Sequence, residues 1–584
     1  MRSGGDPTRV SRQAVSLPFL FVGMLAVLAG MPAARAQDSA PPGSARPVGD
    51  GQTLGSPHRG GTLRLAASSS GGTLDPQVNY TSEYAQLFTV LYDGLLNFRK
   101  TDDRTSDEVV ADLAEAVPQP EDGGRTWRFT LRQGVRFSTG QEVTVADVAA
   151  SIRRLFRVGS PTAGSFYGAI VGADLCLRDP AHCTLAGGLE VDPATRKVVF
   201  HLNQPDAEFP QKLAFPHASI LPANMPDHDL GNVPAPTTGP YRFVSYDPDR
   251  GAVLERNPFF HVWSAEAQPD GYVDHIHYDF GLPDEAAVTA VENGQYDWMF
   301  DMKPLDRLGE LGARHTRQVH IRALYGIYYV PMNVNLPPFN NRLARQAVSR
   351  ALDRRAMTIL YGGSAVAGPL CTMVPPGIPG ALDECAYTKG ADLDHPAPAW
   401  QGPDLEGARR LVAASGTAGQ KVTVVVQNTN VEMSMGVWLR NMLQAIGYDA
   451  SVKPLAHAVQ LGYIQNTSNH VQISVTDWFA DYPSASNFLD DLFGCENFHP
   501  GTDNSINIAG YCDKEAQAAM DAAKQETDPA RAADLWAQAG RIIARDSPAA
   551  PAIRINYIDL VSSRLGNYFY SDLYHMIFSQ VWVQ

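Results

Sequence analysis

VQISVTDWFADYPSASNFL, residues 471–489, is the stretch on which the fold turns. Val471, Ile473 and Val475 alternate with Gln472, Ser474 and Thr476, the period of a strand. Two acids and three aromatics follow: Asp477, Trp478, Phe479, Asp481 and Tyr482. Pro483 and Ser484 then end the regular structure. Upstream, residues 422–426 read as a strand, 432–446 as a helix stopped by Gly447, and 450–455 as a strand. The order strand, helix, strand, helix, strand over 422–475 predicts an α/β unit with a parallel sheet. In such sheets ligands lie beyond the carboxyl ends of strands, which is where Asp481, Asn428 and Asn430 stand. A carboxylate flanked by Trp478 and Tyr482 suits a ligand with a cationic end and an apolar body. On these residues alone, core packing and loop capping explain the aromatics and acids more simply than a site does.

The 584 residues exceed what one core supports, so two or three domains are expected. Lys and Arg number 47 against 62 Asp and Glu, a formal charge of −15. That balance argues against a nucleic-acid partner, which needs basic patches. Arg2, Arg9 and Arg12 precede an apolar run at 17–30, and Ala34-Arg35-Ala36 is a small-residue cleavage signal. Residues 1–36 therefore read as a signal peptide of an exported protein. No cysteine stands directly after the apolar run, so a lipoprotein anchor is not expected. Residues 37–59, rich in Pro, Gly and Ser, read as a disordered linker. Six cysteines remain: Cys176, Cys183, Cys371, Cys385, Cys495 and Cys512. In an exported chain an even count implies disulfides. Fifteen connectivities are open, and nearest-neighbour pairing, which closes three short local loops, is favoured.

Elsewhere, a strand starts at Gly60. Residues 126–132 alternate, with Trp127, Phe129 and Leu131 on one face. Thr144 caps a helix to about residue 158, with Asp147 completing the cap. Between Cys176 and Cys183 a polar loop is expected. Further strands are read at 198–202, 241–246, 252–256 and 272–280, and 221–240 as a crossing connection. One helix is expected over 341–360, and another from Asp528-Pro529 to about 545. Motifs of hydrolases, zinc proteases and nucleotide-binding proteins are absent. His275 and His277 share a strand face that suits a metal, but two polar residues on a half-exposed strand is the plainer reading. Asp477 and Asp481 as a hydrolytic pair is weaker, since residues four apart beyond a strand need not face each other.

Several segments together resemble the solute-binding proteins that serve ATP-driven bacterial importers of peptides, oligopeptides and nickel. They include Gly60-Gly61-Thr62-Leu63, Leu74-Asp75-Pro76, Leu91-Tyr92-Asp93-Gly94-Leu95-Leu96 and the run from Trp127 to Phe137. Thr238-Gly239-Pro240-Tyr241, Ala351-Leu352-Asp353-Arg354 and Trp478-Phe479-Ala480-Asp481-Tyr482-Pro483 continue the series in the family's order. The resemblance implies a two-lobed α/β periplasmic-binding-protein fold of the large cluster-C type, with mixed sheets, an inserted subdomain and a hinge. Lobe one would hold 60–96, an inserted subdomain at 97–237, then 238–326 and 556–584. Lobe two would hold 327–555, with hinges near 327–331 and 553–557. It implies a periplasmic monomer that binds a peptide or peptide-like solute without chemistry, cofactor or metal, and hands it to membrane permease subunits. The family's aspartate that holds a peptide ammonium falls on Asp481, with Trp478 three residues before it. The segment after Leu74-Asp75-Pro76 puts Tyr80 and Thr81 beside the solute. A metal chelate, with His275 and His277, is the alternative solute.

Overall fold

The computed structural model describes residues 57–101, 104–300, 307–503, 505–526 and 528–584. The expected signal peptide, and the linker up to residue 56, lie outside them.

Two long strands, Val319–Pro331 and Ala549–Leu560, run antiparallel from the pair Val319↔Leu560 to the pair Pro331↔Ala549. Short strands flank them, Ala367–Pro369 on one side and Thr476–Phe479 on the other. Both faces of this sheet are covered. Ile327 and Tyr329 enter one apolar cluster, while Tyr328 and Val330 enter another, as alternation along a strand requires. The ladder breaks between Ala323 and Gly326, so Leu324 and Tyr325 bulge out of it. The Tyr325 carbonyl there accepts from the Ala480 N–H at 2.9 Å. The two expected hinge segments lie in this ladder, with Ile327 facing Arg554 and Tyr328 facing Ile553.

Beside it stands a parallel sheet in the order Asp449–Leu455, Lys421–Gln427, Ile473–Ser474. The helix Asn430–Ile446 makes the crossover. Thr429 caps its start, and Gly447, at φ 114°, ends it in a conformation that penalises a side chain. Residues 471–475 form less of a strand than their alternation predicts. Only Ile473 and Ser474 pair in the parallel sheet, and both are buried. The chain then steps into the antiparallel sheet at Thr476–Phe479. A joint between two sheets is buried on both sides, so its period-two pattern carries no exposed face.

Residues 341–360 form two helices, Arg342–Ala351 and Arg354–Tyr361, not one. Leu352 leaves the helical region, and the Asp353 carboxylate accepts from the N–H groups of Arg355 and Ala356. A local cap therefore outcompetes helix continuity, which apolar periodicity does not reveal. The loop expected between Cys176 and Cys183 is largely helical, with Ala173–Arg178 followed by a short 3₁₀ turn, Pro180–His182. The disulfides join Cys176 to Cys183, Cys371 to Cys385 and Cys495 to Cys512, the nearest-neighbour set.

The N-terminal half carries a five-stranded mixed sheet, in which Thr62–Ala67 lies parallel to both neighbours, Trp298–Met299 and His275–Phe280. A three-stranded antiparallel sheet has Lys197–His201 at its centre. Its strand Thr126–Thr130 buries Trp127 and Phe129 and exposes Arg128. The helix Val145–Arg157 opens with the expected reciprocal cap between Thr144 and Asp147. Its Arg154 turns inward and grips Asp75 with two hydrogen bonds, of 3.1 and 2.5 Å. His275 and His277 are exposed on one strand face, and among the described residues no group of three or more metal-ligating side chains forms. No described helix is long and apolar enough to cross a membrane.

Gly540 sits inside the helix Pro529–Asp546 and lines a small cavity of about 30 Å³. A methyl group there would meet Leu382 Cδ1 at 3.5 Å and Leu489 Cδ1 at 3.8 Å, ordinary contact distances. Gly540→Ala is therefore expected to stabilise the protein by about 0.5–1 kcal/mol, from helix propensity and a less flexible unfolded chain. Urea unfolding followed by circular dichroism reads this as a higher midpoint.

Candidate binding site around Asp481

Beyond Phe479 the chain leaves the sheet, and Asp481 falls in the turn before the helix Ser486–Phe493. Asn487, fully buried at the start of that helix, organises the turn. Its side-chain oxygen accepts from the Asp481 N–H at 2.9 Å and from Trp478 Nε1 at 3.3 Å. Its nitrogen donates to Asp481 Oδ2 at 2.9 Å and to the buried Asp491 at 2.7 Å. Tyr80, from the far end of the chain, donates its hydroxyl to the same Asp481 oxygen at 2.6 Å. Both side-chain bonds thus land on Oδ2. Among the described residues none bonds Oδ1, and no cation pairs with this carboxylate. Burial pushes the Asp481 pKa up to about 7, against the lowering effect of the Tyr80 and Asn487 bonds. Burial and the neighbouring Asp481 charge push Tyr80 upward too, so it remains the proton donor.

Tyr80 is held from behind. Asp75, gripped by Arg154, accepts the Gln77 N–H at 3.0 Å, and Gln77 Nε2 donates to the Ser151 carbonyl at 2.9 Å. His217 is buried, and its Nε2 donates to the Asn79 carbonyl at 2.9 Å while Nδ1 accepts the Thr162 hydroxyl at 2.7 Å. Burial lowers the His217 pKa to about 4, which keeps the imidazole neutral for these roles. The Tyr80 ring then packs against His217 at 5.2 Å, Phe215 at 5.9 Å and Trp478 at 6.1 Å between centroids. One more contact joins the same two regions: Glu208 accepts hydrogen bonds from Ser484 and Ser486.

Of the seven positions singled out, the structure brings three together: Asp481, Trp478 and Tyr80. Tyr482 is turned into the core, its ring 5.4 Å from Phe166 and its hydroxyl 2.9 Å from Ser486 Oγ. Thr81 caps the helix Ser82–Phe88, and its hydroxyl donates to Asn79. Asn428 and Asn430 are exposed at the carboxyl end of the strand Lys421–Gln427. Among the described residues no side-chain bond or ring contact ties either to Asp481. Asn487, His217 and Glu208 were missed. Asn487 lies six residues after Asp481 in the opening stretch, and a polar residue among Phe488 and Leu489 was the available sign. Nothing local marks His217 or Glu208, whose partners are distant in sequence.

The family described as bacterial extracellular solute-binding proteins, family 5, matches residues 108–500. The glutathione-binding protein GsiB of Salmonella typhi is 26% identical over 499 residues, covering 84% of this chain and 88% of that protein. The dipeptide-binding protein of Pseudomonas aeruginosa is 26% identical over 535 residues, covering 86% and 91%. Among solved structures, the clavulanic acid biosynthesis oligopeptide binding protein 2 superposes with a TM-score of 0.76 at 23% identity, covering 90% of this chain and 96% of that one.

The raised pKa of Asp481 has a consequence for stability. Between the unfolded value near 4 and the folded value of about 7, the folded protein holds a proton that the unfolded chain releases. This contribution is fully present below that window and is lost as pH rises through it. Urea midpoints at pH 5 and pH 8 are therefore expected to fall more for wild type than for Asp481→Asn. Parallel curves would assign Asp481 an ordinary pKa.

Proposed function

Because the chain belongs to the bacterial extracellular solute-binding proteins, family 5, we propose that it captures a peptide or peptide-like solute by its free ammonium group at Asp481. It then delivers the solute from the periplasm to the permease subunits of an ATP-driven importer. The observation that carries this reading is the carboxylate itself. It is partly buried, and among the described residues it has no cation beside it and its Oδ1 is left without a bond. A carboxylate in that setting gains most from a cationic hydrogen-bond donor, and a ligand ammonium supplies both charge and protons. Trp478 and Tyr80 add aromatic rings beside the cation.

The protein performs no reaction on its solute in this reading, in keeping with relatives that are named as binding proteins. Tyr80 comes from the N-terminal region and Asp481 from the C-terminal half. A ligand held between them touches both proposed lobes, with 327–331 and 553–557 as the segments that bend. The contacts of Glu208 with Ser484 and Ser486 join the same regions and would hold them closed.

Asp481→Ala is expected to weaken binding of short peptides with a free amino terminus at least 100-fold in calorimetry, while leaving the circular dichroism spectrum unchanged. N-acetylated versions of the same peptides should bind both proteins equally poorly. For wild type, affinity should fall about tenfold per pH unit below pH 7, since a protonated Asp481 no longer pairs with the ammonium. Equal affinity of wild type and Asp481→Ala would remove Asp481 from the site.

A further inference from the structure

Away from Asp481, Arg317, His320 and Arg322 line an open groove of about 330 Å³ with Leu565 and Tyr568. His320 and Arg322 are alternate residues of the strand Val319–Pro331 and share a face. The His320 imidazole lies flat on the Tyr568 ring, with centroids 3.8 Å apart and planes 6° from parallel. The Arg322 guanidinium stands 5.8 Å from the centroid of the same ring. Tyr568 is fixed in turn, because its hydroxyl donates to the buried Asp559, which also accepts from Trp298 Nε1. The groove therefore has a rigid aromatic floor.

Its charge is one-sided. Burial and the neighbouring Arg322 lower the His320 pKa to about 4, so the ring is neutral at physiological pH and the positive charge comes from the arginines. Among the described residues neither Arg317 nor Arg322 has a carboxylate within ion-pair distance. Arg322 does influence Asp559 electrostatically, but that carboxylate lies beneath Tyr568 with two hydrogen bonds already made. In a chain of formal charge −15, two arginines that line one groove without a carboxylate at ion-pair distance call for an anion. Guanidinium groups bind carboxylate and phosphate through paired N–H donors. The volume falls at the lower end of the range for small-molecule sites.

We propose that this groove is a second ligand site, which holds a small oxyanion, carboxylate or phosphate, between Arg317 and Arg322 over the stacked Tyr568 and His320. It is distinct from the first site. His320 pairs with Asp559, whereas Gly326, which also pairs with Phe479, stands opposite Ile555, four residues along the partner strand and about 13 Å at strand rise. It also selects the opposite charge, so it stands independently of the role given to Asp481.

Calorimetric titration of the mature protein with inorganic phosphate and, separately, with succinate at low ionic strength tests this. Saturable one-to-one binding of at least one probe is expected at concentrations up to about 20 mM. A preference between the two tells a phosphate ligand from a carboxylate one. Arg317→Gln with Arg322→Gln, both exposed positions, should weaken binding at least tenfold, and Asp481→Ala should leave it unchanged. Absence of saturable binding, a smaller loss in the double variant, or loss in Asp481→Ala would overturn the proposal.

Discussion

The hydrogen bond from the Tyr80 hydroxyl to the Asp481 carboxylate joins segments 401 residues apart in the chain. Much of what surrounds it serves to deliver those two groups to one place. On the Tyr80 side, Arg154 grips Asp75, and His217 takes up the Asn79 carbonyl, so the backbone from 75 to 81 has little freedom left. The Asp481 side depends on Asn487, which makes four contacts at 2.7–3.3 Å: with the Asp481 backbone, the Asp481 carboxylate, Trp478 and Asp491. A carboxylate held this firmly, yet given only neutral donors, is poised for a charge that comes from outside.

Energetics explain why the partner is left out. A resident lysine or arginine would neutralise Asp481 and remove its attraction for a solute. A carboxylate left fully in water would be screened and would gain little from any one ammonium. Burial with neutral hydrogen bonds lies between these extremes. Without a cationic partner the carboxylate lowers the cost of burial by taking up a proton, which is the meaning of a pKa of about 7. In the proposed reading an incoming ammonium would displace that proton and restore a paired charge in a partly dehydrated setting, where the interaction counts for more.

The broad architecture was legible because it rests on periodicity and local chemistry. The parallel unit over 421–474 followed from alternating apolar runs and from Gly447. The reciprocal cap at Thr144 and Asp147 followed from two residues three apart. Local disulfides followed from cysteines spaced 7, 14 and 17 residues apart. Failures came where long-range packing or a side-chain cap took over. Asp353 splits a helix that apolar periodicity joins, and burial on both faces erases the alternation at Ile473 and Ser474. At the site, Asp481, Trp478 and Tyr80 were marked by the resemblance, and the structure brings them together. Tyr482 was chosen for its adjacency to Asp481, yet neighbours in a turn point different ways, and its ring belongs to the core. Asn428 and Asn430 rested on strand-end position alone, which locates an edge of a sheet but not the part of that edge facing Asp481.

The sheet built on Val319–Pro331 and Ala549–Leu560 gives these elements a common frame. Tyr325, which bulges from the pairing with Ala549–Leu560, accepts the Ala480 N–H with its carbonyl, one residue before Asp481, while its hydroxyl reaches Asp107 at 2.9 Å. One bulged residue therefore contacts both the turn that carries the carboxylate and the N-terminal region that carries Tyr80. The turn held there keeps the Asp481 carboxylate partly buried, the setting that its proposed pairing with a cation needs.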